Sequence, residues 1–369
     1  MNVLIRADSS SSIGTGHLMR CLTLADGFRE TETSVAFVCR ELPGNINDMV
    51  VKRGYRLLVV PTGRDLPPSG GGRQSQSSPL EKDFREYDAL HTRAVIASEG
   101  KFDWLIVDHY GLDERWERAM RDRAVHIMVI DDLARNHDCD LLLDQNYHEN
   151  QETLYAALTP PYCRLLLGPT HALLRPEFAE ARKNIRERDG IIRRILIFMG
   201  GADQHNVTEI ALGAIRIVGR ADITVDVVVG AANPHGERIE AACRSLLNCT
   251  CHHRVGDMAE LMGAADLAIG APGSTTWERC CLGLPTLFVA TAANEVDLGR
   301  QTDNLGIGKF LGICHEASSE MLAKELKAAL ESPLTVREWG SKATLLVDGG
   351  GVDRVCRAIH QLSVAEVAS

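Results

Sequence analysis

The sequence predicts an α/β protein built from two Rossmann-like, parallel-sheet domains facing a central cleft. Three observations carry that prediction. Short β-rich runs alternate with longer amphipathic segments through the first half of the chain, the alternation pauses in a polar helical stretch near the middle, and a second series of apolar runs then begins. At 369 residues the chain is too long for one average domain and comfortable for two.

Taken in order, the first series of strands reads "NVLIRA", "SVAFVC", "RLLVV", "WLIVD", "HIMVID" and "DLLLDQ". Between the first two lies a helical pattern from His17 to Glu30, in which Leu18, Leu22, Ala25 and Phe28 recur at helical spacing. Strands alternating with helices imply a parallel sheet covered on both faces. The segment Gly63 to Phe84 breaks the rhythm: it is rich in Gly, Ser and Pro, has no apolar period, and reads as a loop. Residues 1–166 form the first domain, and Leu167 to Gly190 reads as the connection. Residues 191–369 form the second domain, with strands in "RRILIFMGG", "ITVDVVVG", "ADLAIGAPG" and "PTLFVA". A last helix, about Val352 to Leu362, suits packing on either domain. Open α/β sheets take ligands outside the carboxyl ends of their strands, which places the expected cleft and its site there.

Composition narrows the partners. A net charge of -10 argues against nucleic acid or an anionic membrane surface, both of which want clustered Lys and Arg. The chain opens directly into a strand, with no export signal and no apolar run of membrane-spanning length. Eleven scattered cysteines then read as free thiols of a reducing compartment, a bacterial-type cytoplasm.

The candidate chemistry lies at strand ends. The turn "SSSSIGTGHLMRC" follows the first strand and opens the first helix. A dinucleotide fingerprint would want a third glycine where Met19 stands, and an acidic ribose ligand is missing after the second strand. What remains is a glycine-lined turn around Gly14 and Gly16, with His17 in the first helical turn. A general base suits that position, and so does a capping or half-buried histidine. "GAPGSTTWERCCLGLP" offers backbone N–H groups and the hydroxyls of Ser274, Thr275 and Thr276 for a diphosphate, with Glu278 one turn on for ribose hydroxyls. Thr275 and Glu278 also fit a capping box. In "FMGGADQHNVT", Gly200 and Gly201 let backbone meet a ligand, while Asp203 or Asn206 suits a helix cap. Asn294 and Glu295 follow "PTLFVA", and Asp108, His109 and Tyr110 close "WLIVD"; at these strand ends structural hydrogen bonding competes with ligand binding. "CTCHH", Cys249 to His253, lacks a second ligand pair at zinc spacing, so no metal site is expected. No P-loop lysine or Gly-x-Ser-x-Gly elbow occurs.

Six stretches, "RADSSSSIGTGHLMRC", "IVDHYGLDERWE", "VIDDLARNHDCDLLLDQNY", "LLGPTHALLRPEF", "FMGGADQHNVT" and "GAPGSTTWERCCLGLP", are spread from Arg6 to Pro285. In this order they resemble the UDP-2,4-diacetamido-2,4,6-trideoxy-β-L-altropyranose hydrolase family of pseudaminic acid biosynthesis, within the GT-B nucleotide-sugar superfamily. The resemblance implies a small-molecule UDP-sugar substrate, no cofactor, and His17 at the position of the family's catalytic histidine. It also matches Ser274 to Glu278, with Ser274, Thr275, Thr276 and Glu278, to the family's UDP pocket. The other substrate-binding residues expected from the strand-end turns are Asp8, Gly14, Gly16, Arg20 and Tyr110 on the first domain and Gly201, Asp203 and Asn294 on the second. The chain departs from the family in having Glu295 where Gln is common, and in a longer, more polar Gly63 to Phe84 segment. The expected reaction is metal-independent, inverting hydrolysis at the anomeric carbon. A transferase using the same fold, a non-catalytic UDP-sugar binder and a 2-epimerase are its rivals.

Overall fold

The structure is a computed structural model and describes residues 1–29, 31–61, 79–230, 232–253 and 255–365. The chain forms two compact units, Met1–Leu173 with Gly350–Ser369, and Leu174–Gly349.

The first unit holds seven parallel strands: β1 (Asn2–Ala7), β2 (Ser34–Arg40), β3 (Arg56–Val60), β4 (Phe102–Asp108), β5 (Ala124–Ile130), β6 (Leu141–Asp144) and β7 (Arg164–Leu167). Their order is β3-β2-β1-β4-β5-β6-β7, so the direction of winding reverses between β1 and β4. Alternation along β1 divides the core. Val3, Ile5 and Ala7 pack with Leu18, Leu22 and Ala25 of the helix Gly16–Gly27, and with Val355 and Ile359 of the helix Gly351–Ala365. Leu4 faces the other way, toward Phe84, Leu105 and Trp116. Both faces are covered, which is why these strands read as nearly continuous apolar runs.

The second unit repeats the design with β8 (Arg194–Phe198), β9 (Thr224–Val229), β10 (Cys249–His253), β11 (Leu267–Gly270), β12 (Thr286–Ala290) and β13 (Gly308–Ile313). Their order is β10-β9-β8-β11-β12-β13, with the reversal between β8 and β11. Its core is built from Ile195, Ile197, Val225, Val227, Leu267, Ile269 and Leu287, with Ala211 and Leu212 of the helix Val207–Val218. Among the described residues no helix is long and apolar enough to cross a membrane, and all eleven cysteines are free.

Three strands were not drawn from the sequence. β7 lies just ahead of the expected connection, β10 is the polar segment "CTCHH", and β13 begins at Gly308 and carries Gly312 near its end. Of the expected Gly63 to Phe84 loop, residues 63–78 lie outside the described residues, and the remainder is helical rather than loop, because the helix Pro79–Val95 begins there. The buried residues Phe84, Asp88 and Thr92 recur every fourth position, the spacing that brings side chains onto one helical face.

Candidate active site

In the first unit the candidate residues gather at the switch point, outside the carboxyl ends of β1 and β4. Ala7 pairs in register with Asp108, so the residues just beyond them meet over the sheet edge. The turn after β1 closes on itself through a two-way bond between Ser10 and Gly14, of 3.2 and 2.9 Å, and the Ser10 hydroxyl accepts the Ile13 N–H at 2.9 Å. Gly14 has φ +82°, a conformation that favours glycine, and the space where a Cβ would stand is open. The helix Gly16–Gly27 follows at once, with no side-chain cap and no acidic residue in its first turn.

His17 sits on that first turn and is buried. Its Nδ1 lies 2.6 Å from Asp108 Oδ1. An ionised carboxylate only accepts, so Nδ1 carries a proton, and in the neutral tautomer this selects, the lone pair is on Nε2. Among the described residues Nε2 has no hydrogen-bond partner. Arg20 grips the same carboxylate with two bonds, Nε to Oδ2 at 2.6 Å and Nη2 to Oδ1 at 2.7 Å. Burial alone would raise the Asp108 carboxyl, but Arg20 and then His17 outweigh it and hold it well below the usual carboxylate range. The Tyr110 ring stands edge-on to the imidazole, with centroids 4.5 Å apart, and its hydroxyl engages Asp132. An oriented imidazole with one free nitrogen beside an open glycine turn is the arrangement a general base requires.

Two residues expected at this site, Asp8 and Arg20, hold and are held by neighbouring side chains. Asp8 is fully buried with both oxygens taken. Arg6 donates to each, at 2.6 and 3.0 Å, the Arg40 N–H donates to Oδ1 at 2.8 Å, and His109 Nε2 lies 3.2 Å from Oδ2. Arg20 holds Asp108 through Nε and Nη2. Burial pushes the His109 imidazole down, against the pull of Asp8. Its Nδ1 accepts the Gly111 N–H at 2.9 Å, so the proton on Nε2 is the one offered to Asp8.

In the second unit the candidate residues flank the reversal between β8 and β11. After β8, Gly200 and Gly201 form an open turn, with Gly201 exposed. Asp203 does not remain available beside them: its two oxygens accept the N–H groups of Val207 and Thr208 at 2.8 and 3.0 Å, and the Thr208 hydroxyl at 2.6 Å. Of the two roles the sequence allowed it, the helix cap is the one observed.

After β11 comes the turn Ala271-Pro272-Gly273-Ser274, then the short helix Thr275–Cys281. Ser274 is exposed and caps nothing, and Thr275 is half-buried. Thr276 is buried, and its hydroxyl accepts from Arg279 at 3.3 Å, so it faces the interior. The capping-box alternative does not form, since Glu278 instead accepts from Arg175 at 3.3 Å. Burial raises the Glu278 carboxyl, with Arg175 opposing. Past β12, Asn294 is exposed on a single helical turn, Ala293–Glu295. Glu295 Oε2 accepts from the Thr291 N–H and hydroxyl at 2.7 and 3.0 Å, while Oε1 would lie 3.6 Å from a Cβ on Gly273. Among the described residues no group of three or more His, Cys, Asp or Glu side chains is arranged to hold a metal ion.

Sequence reasoning noted Asp108 at its strand end but missed its role, and it missed Arg175 and Arg279 altogether. Asp108 acts through a partner 91 positions away, which only the sheet order brings near. No local spacing signals that pair.

Two doubly wound parallel sheets of six and seven strands, each with its open glycine turn at the switch point, make this a protein of the GT-B fold class. Over 98% of its length the chain matches 99% of the crystal structure of MurG from Acinetobacter baumannii, with a TM-score of 0.62 at 14% identity. The resemblance to the hydrolase family read from the sequence is shown by two relatives. The UDP-2,4-diacetamido-2,4,6-trideoxy-β-L-altropyranose hydrolase of Campylobacter jejuni is 26% identical over 285 residues, 76% of this chain and 89% of that protein. A Helicobacter pylori protein named pseudaminic acid cytidylyltransferase and UDP-2,4-diacetamido-2,4,6-trideoxy-β-L-altropyranose hydrolase is 24% identical over 63% of this chain and 41% of its own length. No protein-family model matches the chain.

Proposed function

We propose that this protein hydrolyses a UDP-linked diacetamido-trideoxy sugar at its anomeric carbon, releasing UDP and free 2,4-diacetamido-2,4,6-trideoxy-L-altrose, in pseudaminic acid biosynthesis. The observation that carries the reading is His17, held by Asp108 with Nε2 unpartnered beside the open Gly14 turn. The names of the two relatives support the substrate and the reaction.

In this reading the second unit holds UDP, its diphosphate at the Gly273–Ser274 turn with Gly201 near, and its ribose on Glu278. His17 Nε2 of the first unit takes a proton from the water that attacks the anomeric carbon. The water's oxygen bonds to that carbon as the bond to the β-phosphate oxygen breaks, and UDP departs with the electron pair. Attack opposite the leaving group inverts the anomeric configuration. As His17 gains the proton, Asp108 stabilises the imidazolium that forms. UDP is a good leaving group, so donors at its β-phosphate suffice to take up the growing charge.

The test is to mix the purified protein with UDP-2,4-diacetamido-2,4,6-trideoxy-β-L-altropyranose, without metal or acceptor, and follow UDP release and the anomer by NMR. Wild type should release UDP with inversion, and His17→Asn should lose at least about a hundredfold in kcat. UDP release only on addition of an acceptor would identify a transferase instead. Binding without turnover would identify a binding protein.

A further inference from the structure

Among the described residues of the second unit, two arginines are buried without a carboxylate in hydrogen-bond reach, and they differ in what holds them. Arg188 donates to the carbonyls of Met262, Ala265, Leu282 and Gly283, a full set of acceptors near the ends of two helices. It is a staple. Arg279 is 2% exposed and has much less. Its Nη2 donates to the Ala271 carbonyl at 2.7 Å and to Thr276 Oγ1 at 3.3 Å, while its Nε is buried with no partner. The guanidinium carbon lies 5.1 Å from the centre of the Phe288 ring. Its Nη1 reaches the last residue of β11 so closely that a Cβ on Gly270 would fall 2.3 Å away, and only glycine there leaves room.

The charges around Arg279 do not cancel it by contact. Glu278 is engaged by Arg175, and Glu295 takes the donors of Thr291 and Ala292. Burial pushes the guanidinium down to about 10, which still leaves a cation at neutral pH. A buried, incompletely bonded cation is costly unless something answers it. Its Nη1 packs on Gly270 and its Nη2 holds the Ala271 carbonyl, at the start of a turn whose Ser274 is open to solvent.

We propose that Arg279 supplies the positive charge of an anion seat on the Gly270–Ser274 turn, and that the anion it receives is the diphosphate of a nucleotide. The nucleotide rests on the function proposed above, whereas the seat rests on Arg279 itself. Arg279 would also hold the turn's shape through Ala271, so the test separates charge from hydrogen bonding.

Calorimetric titrations with UDP, uridine and inorganic pyrophosphate, on wild type, Arg279→Lys and Arg279→Gln, make that separation. Expected are UDP binding well above uridine in wild type, and a loss of about tenfold or more for UDP and pyrophosphate in Arg279→Gln, with uridine unchanged. Arg279→Lys keeps the charge and should stay within about threefold of wild type, a reading that stands alone if the glutamine variant does not fold. The seat is overturned if Arg279→Gln binds UDP as tightly as wild type, or loses UDP and uridine equally as a mere staple would. Wild type that binds pyrophosphate but not UDP upholds the seat and removes the nucleotide. Wild type that binds neither removes both.

Discussion

At the scale of single residues, the proposed chemistry rests on the pair His17–Asp108. Asp108 is fully buried, accepts from His17 and twice from Arg20, and thereby fixes which imidazole nitrogen carries the lone pair. Asp108→Asn keeps the shape but offers an amide N–H where a carboxylate stood, which favours the wrong tautomer. It should lower kcat by about a hundredfold or more, with KM changed little, in steady-state UDP release. Residue type and position singled out His17 after Gly-Thr-Gly at a strand-to-helix turn, where a general base and a capping or half-buried histidine were both open readings. Its partner was legible only as a strand-end acid. Asp8, Asp203 and Thr276 look equally suitable as ligands in the sequence, and in the fold each makes hydrogen bonds within its own unit. Whether a side chain at a strand end faces outward or supports its neighbour depends on contacts from distant segments, and local pattern does not contain them.

At the scale of elements, alternation recovered the central strands, where burial on both faces imposes apolar runs, and lost three strands nearer the margins. β10 shows why. At the edge of its sheet it is half-exposed, so "CTCHH" carries no apolar signature and its cysteines and histidines read as a weak metal motif. Element junctions also hide ionic ties. His137 precedes β6 and lies between Glu117 of the helix Glu114–Met120, at 2.7 Å, and Asp131 just after β5, at 3.3 Å, with all three side chains fully buried. Burial would lower this imidazole, but Asp131 and Glu117 overcome it and raise it to about 9. That lies above its ordinary 6.5, so the linked stabilisation is complete below about pH 6.5 and drains away as pH rises through about 9. It amounts to about 3 kcal/mol. Thermal melts from about pH 6 to about pH 10 should show wild type losing stability over that window, and His137→Gln should start lower and show a flatter dependence.

At the scale of the whole molecule, the two units have separate cores, and the first is closed by chain from both of its parts. Val355 and Ile359 of the helix Gly351–Ala365 are fully buried against residues of β1 and the helix Gly16–Gly27. Ile359→Ala removes buried methyl groups and should cost about 2–5 kcal/mol. Because the second unit has its own core, that loss should lower a first unfolding transition and leave a second in place. Differential scanning calorimetry checks it, and UDP binding should survive between the two transitions. A single transition that moves as one would show that the units do not unfold separately.

That last helix also imposes an order of events on synthesis. All of 174–349 must be made before the residues that complete the first core exist, so the second unit is the first able to become whole. Until then the first sheet lacks Val355 and Ile359, and the surface they cover is open to solvent. The nascent protein therefore matures from its middle outward, and the histidine turn near its beginning rests on a core that is among the last to be finished.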